Sequence, residues 1–417
     1  MLFEPTFGVA ARARAALEAD LTPARTSELA GALHAKLLPL IGPGVASSLI
    51  PLRPLFVSRG TSARVSQSVW RTILRIRRAL GRRGFTPGDL DVVRPDGALS
   101  GDAFSLFELN VGSCVGGLAE VEHMSDVMAP WADEVLRRAR IQVTWPRPLH
   151  ALARALELRY GMSSRYVWTV LPGALASEWG APLAEQVLRV LRDHGLDVEA
   201  AESDALVFDG ESVRLGSTRV DVLIRVVDAA AWITDDSVAH LREAAMAGRV
   251  KVFSSTYEIE LASKQALVQL SRDGDPIVPW TRRALPAMED GVDLLPYVRA
   301  HAEDYVLKPS WGRQGERVAI GREDPALFGQ LLVASVLAKD CVLQRYVSTP
   351  TALVPYAGPH GVVMREAHVV TSPVLISGAP PALCARVSVP GGTLVLTHPA
   401  LGTTGIVPVV EALGDAT

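Results

Sequence analysis

Residues 89–110 read DLDVVRPDGALSGDAFSLFELN, and this stretch says most about the fold. Apolar and polar residues alternate with a period of two on either side of Gly97 and Gly101, the pattern of two short strands joined by a turn. Glu108 and Asn110 are two residues apart, so on an extended strand their side chains point to the same face. The stretch therefore predicts a β-hairpin-like pair with polar side chains on one face.

Asp96 lies on the neighbouring strand of this hairpin, where it can join Glu108 and Asn110. Two carboxylates and an amide oxygen are hard ligands suited to Mg²⁺, which typically keeps several waters and also binds substrate phosphates. A Glu-x-Asn pair can equally stand on a strand edge by chance. The three residues alone leave both interpretations open.

Farther along the chain, residues 304–321 read DYVLKPSWGRQGERVAIG. Lys308 ends a predicted strand, and Gly312 and Gly315 follow it within seven residues. A lysine beside a short glycine loop offers a positive charge and backbone N–H groups to phosphate oxygens. The segment matches neither the Walker A pattern GxxxxGK[ST] nor the Rossmann pattern GxGxxG, and a plain β-turn between two strands would look the same.

Two further segments have the same ambiguity. Lys264 lies in the apolar helical pattern ELASKQALVQL, and the apolar run CVLQRYV at 341–347 ends in polar residues. Such a strand could present backbone groups to an adenine edge, or it could be an ordinary core strand.

The rest of the chain alternates between helical and extended patterns. Helices are predicted over 8–40 (two helices that meet at Thr22-Pro23), 66–84, 117–127, 182–195, 258–272 and 325–339. The strand–helix–strand order within 165–228 predicts a βαβ-like unit with a partly parallel sheet. The predicted segments are an N-terminal helical segment (1–89), a metal-ligand segment (90–160), a βαβ-like substrate region (161–250), and a lysine and glycine-loop region with C-terminal strands (251–417).

Composition excludes several classes of protein. The 42 Lys and Arg residues nearly balance the 45 Asp and Glu residues, which argues against a nucleic-acid partner. There is no run of eighteen apolar residues, so we expect no membrane partner. The three cysteines are too few and too scattered for a disulfide framework or a zinc site. We therefore expect a cytoplasmic protein with reduced thiols.

The order of the motifs resembles the circularly permuted ATP-grasp family, specifically its glutathionylspermidine synthetase-like group, without the amidase half. In ordinary ATP-grasp chains the two ATP-binding lysines come before the acidic-x-Asn metal motif. Here the motif at 96–110 precedes Lys264 and Lys308. YVLKPSWGRQG, QRYV and Arg386 in LCARVS match later landmarks of the family, and the matching motifs are scattered over about 50–390.

This resemblance implies an α/β ATP-grasp architecture, with the nucleotide held between two α+β subdomains and with ATP and Mg²⁺ as cofactors. The residues it implicates are Asp96, Glu108 and Asn110 as Mg²⁺ ligands, Arg94 and Ser113 beside the substrate carboxylate or the γ-phosphate, Lys264 and Lys308 on the α- and β-phosphates, Gly312, Gln314 and Gly315 in a closing loop, Gln344, Arg345, Tyr346 and Val347 around adenine, and Arg386 on the transferred phosphoryl group.

The activity implied by the resemblance is ATP-dependent carboxylate–amine ligation. A small-molecule acid would form an acyl phosphate, and an amine would then displace phosphate to give an amide. A small-molecule kinase and a non-catalytic ATP-grasp-like binding protein are the alternatives. Arg225 lies outside these motifs, in the apolar strand VDVLIRVVD, so it must either pair within the protein or reach a ligand.

Overall fold

The chain forms a mixed α/β fold in a computed structural model. The structure describes residues 2–5, 7–41, 50–79, 92–112, 116–177, 180–227, 229–254, 261, 263–311, 317–358, 360–376, 379–388 and 404–415. Within those ranges, no helix combines the length and the apolar character needed to cross a bilayer.

The helices are amphipathic stretches that pack against sheets. In α6, for example, Ala184, Val187, Leu188 and Leu191 form one buried face at helical spacing. The helix bounds are α1 (Gly8–Asp20), α2 (Pro23–Ile41), α3 (Thr61–Ala79), α4 (Leu118–Arg138), α5 (Pro148–Tyr160), α6 (Gly180–Asp193), α7 (Ala229–Thr234), α8 (Ala239–Met246), α9 (Gln265–Arg272), α10 (Leu294–Ala300) and α11 (Pro325–Ala338).

Four of these helices, α5, α7, α8 and α10, were not predicted, and three predicted helices have different bounds. α3 begins at Thr61 rather than at 66, and its predicted end at Gly84 lies outside the described residues. α4 continues past the predicted end at 127 and through Pro130, because its later turns bury apolar side chains. The described helix near 258–272 is α9, which begins only after Lys264.

The described strands range from two to twelve residues in length and come from all parts of the chain. The first eleven are β1 (Leu55–Ser58), β2 (Val92–Ser100), β3 (Ala103–Val111), β4 (Ile141–Thr144), β5 (Arg165–Val170), β6 (Asp197–Glu202), β7 (Leu206–Phe208), β8 (Val213–Leu215), β9 (Thr218–Val220), β10 (Val222–Arg225) and β11 (Lys251–Phe253). The others are β12 (Thr281–Arg283), β13 (Met288–Glu289), β14 (Val292–Asp293), β15 (Tyr305–Pro309), β16 (Ala319–Ile320), β17 (Cys341–Arg345), β18 (Thr351–Gly358), β19 (Gly361–Thr371), β20 (Leu375–Ile376), β21 (Cys384–Ser388) and β22 (Thr404–Asp415).

The largest sheet has nine strands among the described residues. Its order is β1-β22-β21-β19-β2-β20, with β3 paired to β2, β18 to β19 and β4 to β22. Only the β1–β22 pairing among these is parallel, and Leu55 stands opposite Val409. The sheet therefore joins strands from before residue 145 to strands from after residue 350, and the segment 1–89 contributes β1 as well as helices.

The predicted hairpin of 89–110 is confirmed as β2 and β3, which are antiparallel. Arg94 stands opposite Asn110, and Asp96 stands opposite Glu108, immediately before a register shift at Gly97. A Cβ atom at Gly97 would come within 2.3 Å of the Ser105 carbonyl oxygen, so the bulge requires glycine.

The βαβ-like pattern predicted within 165–228 is present: β5 and β6 are parallel neighbours connected through α6, in a sheet of order β11-β10-β5-β6. Arg225 at the end of β10 is fully buried. Its guanidinium donates hydrogen bonds to the carbonyl oxygens of Ser254 (2.6 Å) and Val227 (2.5 Å). Arg225 thus pairs within the protein.

A four-stranded antiparallel sheet of order β12-β17-β15-β16 contains the segments YVLKP and CVLQR. Leu307 and Leu343 on this sheet and Phe328 and Leu332 on α11 belong to one buried apolar cluster. The helix thus covers one face of the sheet, and the β15–β17 pairing brings Lys308 and Gln344 onto neighbouring strands.

Candidate functional site

A polar cluster lies where the β2–β3 hairpin of the nine-stranded sheet meets the antiparallel sheet. Two contacts join the sides: Lys308 Nζ donates to the Phe107 carbonyl oxygen at 3.3 Å, and Lys264 Nζ lies 3.2 Å from Glu108 Oε2. The members of this cluster are Arg94, Asp96, Glu108, Asn110, Lys264, Lys308, Gln344 and Arg386.

Arg94 and Asp96 form a buried pair on β2. Arg94 Nε and Nη2 lie 3.2 Å from the two carboxylate oxygens of Asp96, and Arg94 Nη1 donates to the Gly116 carbonyl oxygen. Burial would lower the pKa of Arg94, but the Asp96 carboxylate outweighs that effect and the pKa is raised. The guanidinium is therefore fixed in place and charged.

Asn110 completes this network from β3. Its Nδ2 donates to Asp96 Oδ2 at 2.9 Å and to the Arg94 carbonyl oxygen at 3.2 Å. These hydrogen bonds orient the side-chain amide, so that its Oδ1 can accept a hydrogen bond from, or coordinate, another group. Asp96 Oδ2 accepts two hydrogen bonds and Oδ1 accepts one, so Oδ1 keeps a lone pair that could bind a metal ion.

Glu108 is paired with a lysine but not enclosed, since 32% of its side chain is exposed. Burial alone would raise the pKa of Glu108, but the attraction of Lys264, followed by that of Lys308, lowers it to about 2. Lys264 itself is buried, and its backbone N–H donates to the Ser310 carbonyl oxygen at 3.1 Å. The carboxylate is therefore ionised at neutral pH and faces two ammonium groups.

Lys308 projects from β15 with neutral partners. Its Nζ donates to Gln344 Oε1 at 2.8 Å and lies 5.4 Å from the centre of the Phe107 ring. Burial lowers the pKa of Lys308 to about 8, although Glu108 acts in the opposite direction. This ammonium is therefore poorly compensated in the protein, and an anion nearby would stabilise it.

Arg386 reaches the cluster from β21. Burial lowers the pKa of Arg386, and the neighbouring Arg94 lowers it further, against the attraction of Asp96 and Glu108. The Cys384 thiol lies on the same strand, and burial raises its pKa to about 12, so it remains protonated. The four cations and two carboxylates among the described members of the polar cluster leave it with excess positive charge.

The segment predicted to surround adenine, at the end of β17, already forms hydrogen bonds within the protein. Gln344 is buried and bonded to Lys308, and its Nε2 donates to Thr281 Oγ1 at 3.3 Å. The backbone N–H groups of Arg345 and Tyr346 donate to the carbonyl oxygens of Trp280 and Asp304. An adenine base bound here would therefore have to form hydrogen bonds with the carbonyl groups of these two residues or with Val347, which follows the strand. This adenine site stays a prediction.

Four predicted residues, Ser113, Gly312, Gln314 and Gly315, lie outside the described residues. Sequence reasoning also missed contributors to the cluster. Phe107 and Ser310 act through their carbonyl oxygens, for which a sequence offers no signal. Thr281 could have been suspected only by knowing that β12 pairs with β17.

The donor set suits a hard divalent cation. Glu108 and Asn110 offer carboxylate and amide oxygens on one face of β3, without a thiolate or imidazole among the described neighbours. Within the described ranges no group of three or more His, Cys, Asp or Glu could hold a metal ion. Mg²⁺ needs only a few protein ligands when substrate phosphates and waters complete its coordination shell.

No protein-family model and no curated protein matches the sequence. Among solved structures, the fold is similar to that of a glutathione synthetase-like effector from Globodera pallida in its apo form, with a TM-score of 0.58 and 10% identity over 93% of this chain and 96% of that one. At this identity the similarity shows the fold alone. The chain thus shares its fold with that effector, and the predicted α/β class is confirmed.

Two other solved structures are more distant. A putative gamma-glutamylcysteine synthetase from Methylobacillus flagellatus has a TM-score of 0.43 and 11% identity over 84% of this chain and 86% of its own. D-alanyl-alanine synthetase A from Vibrio cholerae has a TM-score of 0.32 and 8% identity over 61% and 90%. Both scores are too low to inform the architecture of this chain.

Proposed function

We propose that the chain is an ATP-dependent carboxylate–amine ligase that works through an acyl phosphate and releases ADP and phosphate. One observation supports this most: segments near residues 94–110, 264, 308–344 and 386 converge on one positively charged cluster. A nucleoside triphosphate carries the negative charge that this cluster lacks. The fold that the chain shares with the glutathione synthetase-like effector supports the same conclusion.

The cationic side chains would have different roles according to their positions in the cluster. Lys264 and Lys308 lie near Glu108 and would bind the phosphates of ATP, where Lys308 gains an anionic oxygen as a direct hydrogen-bond acceptor. Arg94 pairs with Asp96, and Arg386 lies near both residues; the two arginines would stabilise charge on the transferred phosphoryl group and orient the acid. Their share is positioning and electrostatic stabilisation, because phosphoryl transfer spreads charge over several oxygens.

Asp96, Glu108 and Asn110 would hold Mg²⁺, and Asp96 would also orient Asn110 and Arg94. When bound, Mg²⁺ would neutralise part of the negative charge on the phosphates. The hairpin with these ligands precedes both lysines in the chain, so we also propose that the ATP-grasp arrangement is circularly permuted. The substrates would be a small-molecule acid and a small-molecule amine.

The test is ADP release with pairs drawn from amino acids, short peptides and polyamines. A ligase should release ADP quickly only when both an acid and an amine are present. With the acid alone, hydroxylamine should trap a hydroxamate. A Glu108→Gln, Asn110→Ala double variant, checked for folding by circular dichroism, serves as the control that should form no product.

The same assay separates the alternatives. A stable phosphorylated product with no amide, whatever amine is supplied, would identify a kinase. Binding of ATP without turnover for any pair would favour a non-catalytic binding protein. Absence of ATP binding would refute the nucleotide site itself.

A further inference from the structure

The Glu108–Lys264 ion pair joins two groups that have different partners in the proposed function. Glu108 would bind the metal and Lys264 the nucleotide, yet here Lys264 Nζ lies 3.2 Å from Glu108 Oε2. Lys264 is buried, so its ammonium has little water to replace a lost carboxylate. Each group therefore neutralises the charge of the other.

A lone metal ion would meet two obstacles at this site. It must compete with Lys264 for the Glu108 carboxylate, which takes counter-charge away from a buried ammonium, and it must enter beside the excess positive charge of the polar cluster. A nucleotide without metal meets the opposite difficulty. If its phosphates pair with Lys264, they lie beside a Glu108 carboxylate that has lost this partner and repels them. When both arrive, each side of the broken ion pair gains a new partner.

We propose that Glu108 and Lys264 are mutual placeholders that make metal binding and nucleotide binding depend on each other. This inference rests on the proposed function, because it assigns the two groups to metal and nucleotide. It adds that the site discriminates against free divalent cations and against metal-free nucleotide. The two ligands are coupled through one ion pair.

The first test measures Mn²⁺ binding without nucleotide, by electron paramagnetic resonance of the free ion. Lys264→Met keeps the length of the side chain and removes its charge. We expect this variant to bind Mn²⁺ about tenfold more tightly than the parent, within the usual range of coupling between two ligands. Lys308→Met is the matched control: it removes a nearby charge whose hydrogen bonds go to Gln344 and Phe107, so its gain should be clearly smaller.

The second test uses calorimetry with ATP in excess chelator. Glu108→Gln removes the carboxylate that repels the phosphates and frees Lys264, so this variant should bind metal-free ATP about tenfold more tightly than the parent. It should bind Mg²⁺-ATP more weakly. This reciprocal pattern does not depend on whether Lys264→Met folds.

The outcomes separate the two levels of the proposal. If the parent binds Mg²⁺-ATP but neither variant gains affinity for its lone ligand, the placeholder role is refuted and the ATP site stands. If the parent binds no Mg²⁺-ATP, the proposed function fails. A gain in Lys308→Met equal to that in Lys264→Met would indicate general charge removal and would overturn the specific pairing.

Discussion

Replacement of Lys308 by methionine should separate nucleotide binding from stability. The substitution keeps an unbranched side chain on β15 and removes the ammonium that donates to Gln344 Oε1 and to the Phe107 carbonyl oxygen. If Lys308 binds phosphate, a charge-assisted hydrogen bond is lost. Such bonds contribute about 1.5–3 kcal/mol, so ATP affinity should fall roughly ten- to hundredfold.

The effect on folding stability should be small because two changes oppose each other. Gln344 loses a donor, and an unsatisfied buried acceptor costs about 1–3 kcal/mol. The folded state no longer holds a charge that burial disfavours, as shown by the lowering of the pKa of Lys308 from 10.5 to about 8. We expect the free energy of unfolding at pH 7 to stay within about 1 kcal/mol of the parent value.

The pH dependence follows from the direction of that pKa change. Between pH 8 and 10.5 the unfolded chain holds the Lys308 proton more tightly than the folded chain does. The contribution of Lys308 to stability therefore becomes more favourable as pH rises through this window. Nucleotide affinity should change in the opposite direction, because deprotonated Lys308 offers no charge to a phosphate.

Calorimetry of Mg²⁺-ATP binding from pH 7 to 9.5, in pairs of buffers with different ionisation enthalpies, measures affinity and proton uptake together. The parent should lose affinity above about pH 8 and take up a proton on binding, and Lys308→Met should do neither. Lys251→Met, a change at an exposed lysine on β11, is the control. Parent-like affinity and proton uptake in Lys308→Met would refute the role of Lys308.

Three further predictions concern the structure around the site. Asp96→Asn leaves the buried Arg94 guanidinium without its carboxylate and should lower the free energy of unfolding in urea by about 3–5 kcal/mol; a change below 1 kcal/mol would contradict the buried pair. Gly97→Ala should destabilise the protein by about 1–3 kcal/mol through overpacking at the bulge, whereas Gly329→Ala in α11, where a Cβ meets open space, should stabilise it slightly; equal thermal midpoints for the two would disprove the bulge argument. Leu307→Ala, at a fully buried position of β15, should cost about 2–5 kcal/mol in urea unfolding, and a loss under 1 kcal/mol would show that the antiparallel sheet is loosely packed.

What the sequence predicts well is local. The alternation around Gly97 and Gly101 specifies the hairpin because the strands are joined by a tight turn, and the same-face placement of Glu108 and Asn110 follows from the period of a strand. The end of α4 was missed because Pro130 favours a helix end locally, while burial of Trp131 and the turns beyond it favours continuation.

The site required more than local pattern. The meeting of Lys264 with Glu108 joins residues far apart in the chain, and it was expected only from a resemblance in the order of motifs. Donation by the Arg345 and Tyr346 N–H groups to Trp280 and Asp304 depends on where separate loops lie. Such contacts are set by tertiary packing, for which a single sequence carries no periodic signal.

The position of β22 has a consequence for synthesis on the ribosome. This strand lies between β1 and β21 and also pairs with β4, so it joins early strands of the chain to late ones. During translation β1 and β4 emerge long before this partner exists, and their unpaired edges stay open to other chains. The nine-stranded sheet can close only after β22 has left the exit tunnel, whereas the parallel sheet of β5, β6, β10 and β11 can assemble while the rest is still being made. Synonymous codon changes that slow translation between β11 and β22 should therefore raise the demand for chaperones without altering the finished protein.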